Sequence, residues 1–350
     1  MVDITVVGAG AIGGTMGAYL ARAGHRVTFV DAVPEHVRAI NERGLTIEGS
    51  TGSFTVRAPA IVPDAMTGPL GMVFLAVKTM HTDIAARQIA PHLAPDGAIV
   101  SMQNGFNEDR IAAVVGRART IGAFVNFGAD YQEPGRIMYG GAGALYIGEL
   151  DGAPSRRVEA LVAVLREFLP NTQATTNIWG YLWGKHAYGA LLKATALVDA
   201  PIADVLADAA ARPALANIAG EVLAVAAAEG VQPEGFDGFD PVSFAFGPQR
   251  DARRIETSLD ALVAFNRKSL KAKSGIWRDL AVRKRKTEVE AMVAGVRGHA
   301  ERHRLSIPLV EALGRMIGEI ETGTREMSWD NLRALEVENA RVYGSVLGRA

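Results

Sequence analysis

Three glycines near the start of the chain, Gly8, Gly10 and Gly13, stand in a G-x-G-x-x-G spacing, and Asp31 follows about 20 residues on. Those residue types at that spacing suit a dinucleotide. Gly8 permits a tight turn after a strand, Gly10 lets the backbone approach a pyrophosphate, and Gly13 lets the next helix pack on that strand. The helix start, with Ala11 and Ile12 in its first turn, offers N–H groups to phosphate oxygens. A carboxylate at Asp31 accepts hydrogen bonds from the adenosine ribose of NAD and repels the extra phosphate of NADP. Ala32 and Val33 follow it, with no arginine, so NAD(H) is favoured. Lys78 in LAVKT lies at the end of a later strand and is able to hold a phosphate, which keeps NADP(H) open.

A dinucleotide site implies hydride transfer, so other residues must place a carbonyl or alcohol and manage one proton. Asn104, in SMQNG at another strand end, can donate to a substrate oxygen and accept from a cofactor hydroxyl, although Asn-Gly is also a strong turn pair. Lys185 sits near the start of a long apolar stretch, WGYLWGKHAYGALLKATAL. A desolvated lysine has a lowered pKa and can pass a proton near neutrality; a snorkelling lysine is the plainer reading. In TEVE, Thr287 and Glu290 have capping-box spacing. That leaves Glu288 to face a site or to act as a helix-dipole partner.

These residues must be carried by alternating strands and helices. Ile4–Val7, Arg26–Val30, Met72–Ala76, Gly97–Met102 and Thr120–Asn126 read as buried strands. Ala11–Ala23, Pro34–Arg43 and His81–His92 read as helices between them. The pattern predicts a mostly parallel, doubly wound α/β sheet of Rossmann type over residues 1–172. Arg136–Tyr139 and Ala144–Ile147 read as a hairpin added late to that sheet. From Ile178 the signals are helical, clearest at Trp179–Leu197, Arg212–Glu229, Thr287–His303 and Pro308–Glu321, which predicts an all-α domain over 173–350. Val231–Pro248, rich in Gly, Pro, Asp and Phe, reads as a long loop of a kind that is often functional.

The length of 350 residues suits two domains, and a net charge of −1 argues against a nucleic-acid or acidic-membrane partner. The absence of cysteine excludes disulfides, thiolate metal sites and a cysteine nucleophile. The N-terminus does not read as a signal peptide, no run approaches the ~20 apolar residues of a membrane span, and a soluble, cytoplasmic protein is expected. HAERH, with His299 and His303, lacks the metallopeptidase order and reads as a solvated helix face, so no metal site is expected. RKRK at Arg283–Lys286 reads as attracting anions toward a site. The amphipathic tail from Met327 suits a surface cover or a partner subunit, and a homodimer is expected.

The G-x-G-x-x-G start, the QNG strand end, W-x-K at the head of the first large helix, and S-x-x-x-x-D with a later TEVE together resemble the ketopantoate reductase family, from Met1 to about Glu321. The resemblance implies a Rossmann domain joined to a helical domain of the 6-phosphogluconate dehydrogenase type. It implies a small 2-oxo acid interconverted with a 2-hydroxy acid, 2-dehydropantoate or a related polyhydroxy acid. Lys185 would be the general acid, or the base in reverse; Glu288 would bind a substrate hydroxyl; Asn104 would orient substrate and cofactor. Ser274 or Gly275 would lie beside the substrate carboxylate. The sequence also departs from the family. The asparagines usual four and eight residues after the lysine are Gly189 and Lys193, and the arginine usual at the second strand end is Asp31. Asp279–Glu288 reads one residue longer than usual, and Val231–Lys273 as an enlargement. Lys193 shares a helical face with Gly189 and Lys185 and suits a second anionic group. An opine-type dehydrogenase and a non-catalytic NAD(P)-sensing protein stand as alternatives.

Overall fold

The computed structural model describes residues 1–49, 52–248, 250–268, 272–344 and 347. The expected segment 231–273 therefore lies outside the described residues at 249 and 269–271, as do 345, 346 and 348–350 of the tail. The chain divides into two units, Met1–Ile178 and Trp179–Ala350.

The first unit is built on short runs of β-branched and aromatic residues: β1 (Asp3–Val7), β2 (Arg26–Val30), β3 (Leu45–Gly49), β4 (Gly52–Val56), β5 (Ala60–Ile61), β6 (Leu70–Leu75), β7 (Leu93–Ser101), β8 (Thr120–Val125), β9 (Gly128–Glu133), β10 (Arg136–Gly141), β11 (Leu145–Glu149) and β12 (Gln173–Ala174). Eight of them form one sheet in the order β12-β11-β8-β7-β6-β1-β2-β5. β1 runs parallel to β2 on one side, Ile4 opposite Val27, and to β6 on the other, Ile4 opposite Met72. The strand order therefore reverses at β1, which opens a crevice at its carboxyl end.

Alternate residues of these strands feed two cores. Val6, Phe29, Phe74 and Val100 pack on one face, with Met16 and Leu20 of α1 (Ala11–Arg22), Ile40 of α2 (Pro34–Arg43) and Leu161 of α5 (Arg156–Leu165). Val7, Val30, Leu75 and Ile99 pack on the other, with Ile89 of α3 (Thr82–Ile89) and Ile111 of α4 (Glu108–Val115). Burying each such side chain contributes roughly 1.5–3 kcal/mol. Coverage of both faces explains why the strands read as continuous apolar runs.

A second sheet of four strands, in the order β4-β3-β10-β9, lies against α1. Tyr19 of α1 meets Phe54 and Tyr139 with ring centroids 4.9 and 5.5 Å apart. This sheet corrects the expected late hairpin. β10 pairs with β9 and β3, whereas β11 pairs antiparallel with β8 in the large sheet. The two strands are separated by a glycine-rich bend, where Gly143 passes so close to Asn126 that a Cβ would stand 2.2 Å from its carbonyl oxygen. The ribbon thus kinks from one sheet into the other.

The second unit is helical: α6 (Ile178–Thr195), α7 (Ile202–Ala207), α8 (Arg212–Ala228), α9 (Ala252–Lys268), α10 (Gly275–Trp277), α11 (Val289–Arg302), α12 (Pro308–Glu321) and α13 (Trp329–Tyr343). α6 is apolar around most of its circumference and correspondingly buried, with Leu182, Trp183, Ala187, Leu191 and Ala194 at 3% exposure or less. The 231–248 loop packs on it. The Glu234 N–H donates to the Gly180 carbonyl at 3.0 Å, and Phe236, Phe239 and Tyr188 form one aromatic cluster.

Two helix starts are capped by carboxylates from other helices, and a third carboxylate holds the residue that precedes the N-cap of α11. Glu336 of α13 accepts from the Ala214 N–H at 3.0 Å, Glu221 of α8 from the Leu309 and Val310 N–H groups at 2.9 Å each, and Glu321 of α12 from the Thr287 N–H at 2.8 Å. The first two satisfy N–H groups that a helix start cannot pair internally, whereas Thr287 stands just before the Glu288 N-cap of α11. Among the described residues no helix is long and apolar enough to cross a membrane.

Candidate functional site

In the first unit the expected cofactor residues gather at the carboxyl ends of β1, β2, β6 and β7. Gly8 has φ +94°, and a Cβ there would stand 2.8 Å from the Ala76 carbonyl carbon, so only glycine fits between the ends of β1 and β6. Gly13 passes Gly8 so closely that a Cβ would stand 2.1 Å from its carbonyl oxygen, whereas a Cβ at Gly10 would meet nothing within 4 Å. Gly10 is the N-cap of α1 and has no capping side chain, so the first-turn N–H groups of Ala11, Ile12 and Gly13 stay available to an anion. The close turn, the open approach at Gly10 and the uncapped helix fit a pyrophosphate.

Asp31 directly follows β2. Its Oδ2 accepts from the Ala9 N–H of the glycine loop at 2.9 Å and its Oδ1 from the Val33 N–H at 3.0 Å. Each oxygen retains acceptor capacity for a ribose hydroxyl. The surroundings are acidic: burial, then the charges of Asp31, Glu35 and Glu133, raise the pKa of Tyr131. His36, which sequence reasoning missed, holds the other side of the loop. Its Nδ1 accepts from the Gly135 N–H at 3.0 Å, so its Nε2 is the nitrogen that donates to the Ala9 carbonyl at 2.9 Å.

Lys78 is half-buried just after β6. Asn104 is exposed on a turn made rigid from below. Its carbonyl accepts from Thr79 Oγ1 at 2.6 Å and Asn107 Nδ2 at 2.8 Å, and Gly105 takes φ +95°. Gln103 Nε2 donates to the Val77 carbonyl at 2.9 Å and to Thr82 Oγ1 at 2.8 Å, tying the ends of β6 and β7. Glu108, fully buried behind this turn, accepts from the Asn107 N–H at 3.0 Å, and burial pushes its pKa up to about 7.

In the second unit, Lys185, Gly189 and Lys193 follow one another along α6 at four-residue intervals. Lys185 is half-buried and Lys193 is 6% exposed. The Lys193 side chain leans back over Gly189, with Nζ 3.4 Å from where a Gly189 Cβ would stand. Burial lowers its pKa to about 8, and the charge of Glu288 opposes the shift. His186, buried beside them, is held at about 3 by burial and by the charges of Lys193 and Lys185, so it stays neutral.

Glu288 is the N-cap residue of α11, half-buried, and its side chain makes no capping bond. The expected capping box between Thr287 and Glu290 is not formed. Thr287 gives its N–H and hydroxyl to Glu321, while Glu290 pairs with Arg297 at 3.6 Å. A carboxylate from α12 reaches the buried Thr287 before the exposed local one does.

Ser274 is buried, and its hydroxyl oxygen accepts from the Trp277 N–H at 3.2 Å as α10 begins at Gly275. Directly after α10 the chain makes a π-turn, Arg278–Val282, where the Arg283 N–H reaches the Arg278 carbonyl at 2.9 Å. A π-turn takes up one additional residue, which suits the expectation of an extra residue between Asp279 and Glu288. Two residues of RKRK are committed here: Arg283 and Arg285 donate to the buried Asp279 at 3.2 and 2.9 Å. HAERH is likewise more than a solvated face. His299, Arg302 and His303 converge on Glu229 at 2.7, 2.8 and 3.2 Å, and the carboxyl is held at about 2. Among the described residues no group of His, Asp and Glu could hold a metal ion.

The sheet order around β1 with its glycine turn, followed by a helical second unit, defines a two-unit fold of Rossmann type. A model of the ketopantoate reductase PanE/ApbA family matches residues 4–152, and that of its C-terminal domain residues 177–321. A 2-dehydropantoate 2-reductase from Mesorhizobium japonicum is 30% identical over 262 residues, covering 67% of this chain and 79% of that protein. The chain belongs to the ketopantoate reductase family. A 2-dehydropantoate 2-reductase from Pyrococcus horikoshii is 34% identical over 184 residues, 52% of this chain; the match spans about three-fifths, 59%, of that relative. The solved ternary structure of D-mandelate dehydrogenase with NADH and anilino(oxo)acetate shares the fold, with TM-score 0.78 and 20% identity over 92% of this chain and 99% of that one.

Proposed function

We propose that the protein is an NAD(H)-dependent oxidoreductase that interconverts a small 2-oxo acid with its 2-hydroxy acid. The observation that carries this reading is the Asp31 carboxylate bound to the Ala9 N–H beside the uncapped start of α1, in a chain that also carries Lys185 on α6. Its family supports the reaction class. The NADH of the D-mandelate dehydrogenase complex and the 2-oxo acid chemistry of relatives named 2-dehydropantoate 2-reductase support the cofactor and substrate class.

When bound, the dinucleotide supplies the hydride. Its pyrophosphate would lie on the N–H groups of Ala11, Ile12 and Gly13, and its adenosine ribose on Asp31. Lys185 Nζ gives a proton to the carbonyl oxygen during reduction and takes it back during oxidation. The buried side chains around α6 keep water from competing for that proton. Glu288 accepts from a substrate hydroxyl, Ser274 and Gly275 meet the carboxylate, and Asn104 orients substrate and nicotinamide. Lys78 faces phosphate. A soluble homodimer belongs to the same reading. Fluorescence titration with NADH and NADPH side by side tests the cofactor: tighter NADH binding is expected, and tighter NADPH binding would overturn the role given to Asp31.

A further inference from the structure

We propose that Lys193 makes this protein selective for 2-oxo acids with a second, distal carboxylate. The inference rests on the 2-oxo acid reading above. Lys193 is 6% exposed, and while its carbonyl accepts from the Ala196 N–H, its ammonium makes no hydrogen bond or ion pair with any described residue. Keeping an ammonium out of water without a partner is costly, and a ligand anion relieves that cost. Glu288 is the opposite charge that acts on it.

Geometry selects which carboxylate. Side chains on a helix lean toward its N-terminus, as Lys193 does over Gly189. Lys185 and Lys193 are eight residues apart on α6, a rise of about 12 Å. With a hydrogen bond of about 3 Å at each end, a molecule bridging the two ammonium groups presents oxygens roughly 6 Å apart. The carboxylate adjacent to a 2-oxo group is too close to its carbonyl oxygen to span that. A carboxylate three carbons further along is not. Gly189 leaves the side of the ammonium open, whereas a Cβ there would stand 3.4 Å from it and occupy that space.

The test compares 2-oxoglutarate with 2-oxopentanoate, equal in carbon number and different in the distal carboxylate, in the wild type and Lys193→Met. The wild type is expected to prefer 2-oxoglutarate in kcat/KM, and the variant to lose about a hundredfold of that preference ratio. An unchanged ratio, including equal losses on both acids, would overturn the proposal. Methionine removes a buried charge at similar volume, so the variant should melt no lower than the wild type. If neither acid is turned over, the reductase reading fails. Calorimetric binding of the two acids to the NADH-loaded wild type and variant then decides the anion site: preferential, Lys193-dependent binding of 2-oxoglutarate supports it, and equal or absent binding overturns it.

Discussion

The backbone N–H and the hydroxyl of Thr287 both end on one oxygen of Glu321, 34 residues further along the chain. That carboxylate holds the residue before Glu288, the N-cap of α11, and the Thr287 hydroxyl oxygen accepts from the Val289 N–H at 3.1 Å. Glu321→Ala should cost about 1–2 kcal/mol of stability, as lost caps do. If Glu321 positions Glu288, KM for a hydroxylated 2-oxo acid should also rise while NADH affinity is preserved. A lower melting temperature with unchanged KM would reduce Glu321 to a purely structural cap.

Asp31 accepts from the glycine loop on one oxygen, so its removal affects both the loop and the ribose site. Asp31→Ala should weaken NADH binding roughly tenfold or more, the worth of a charged hydrogen bond. The preference should shift toward NADPH because the repulsion of its phosphate is gone. Equal weakening of both cofactors would contradict the assignment.

Glu221 should make stability depend on pH. Burial raises its pKa from 4.5 to about 7, opposed by the N–H groups of Leu309 and Val310 and by Tyr343. Its folded-state value lies above its unfolded one, so its contribution is complete below about pH 4.5 and is lost as pH rises through about 7. Glu108 acts in the same direction. The melting temperature should fall between about pH 5 and pH 8, and Glu221→Gln, which mimics the protonated form, should flatten that slope. An identical slope in the variant would contradict this.

The 231–248 loop, read from the sequence as a long loop of a kind that is often functional, packs through its aromatic residues. Phe239 is 3% exposed, with ring centroids 5.4 Å from both Tyr188 and Phe244. Phe239→Ala should lower stability by roughly 3–5 kcal/mol and leave the pH profile of turnover in place. A changed profile with intact stability would mark the loop as part of the site.

Much of the first unit was legible because its parallel strands, buried on both faces, read as apolar runs, the first of them ending in glycine. β3, β4 and β9 were not. They are short and carry exposed residues, and β4 meets α1 through Phe54 and Tyr19, a contact between residues 35 apart in the chain. The glycine loop and Asp31 were visible as a motif, whereas His36 was not, since its partner Gly135 lies 99 residues away. Thr287 followed the same logic: the spacing named Glu290, and tertiary packing supplied Glu321. The one local trace of β3 and β4, the alternation of apolar residues in LTIEG and GSFTV, spans too few residues to name a strand by itself. The buried state of Lys193 had only its apolar neighbours on α6 as a sign.

In the proposed reaction Lys185 moves the proton. The most direct measurement is the steady-state oxidation of NADH with a panel of 2-oxo acids by the wild type and Lys185→Met, alongside NADH titration of both. Turnover should fall by about 10²–10⁴ in the variant with NADH affinity nearly unchanged. Turnover that survives the substitution would contradict the account.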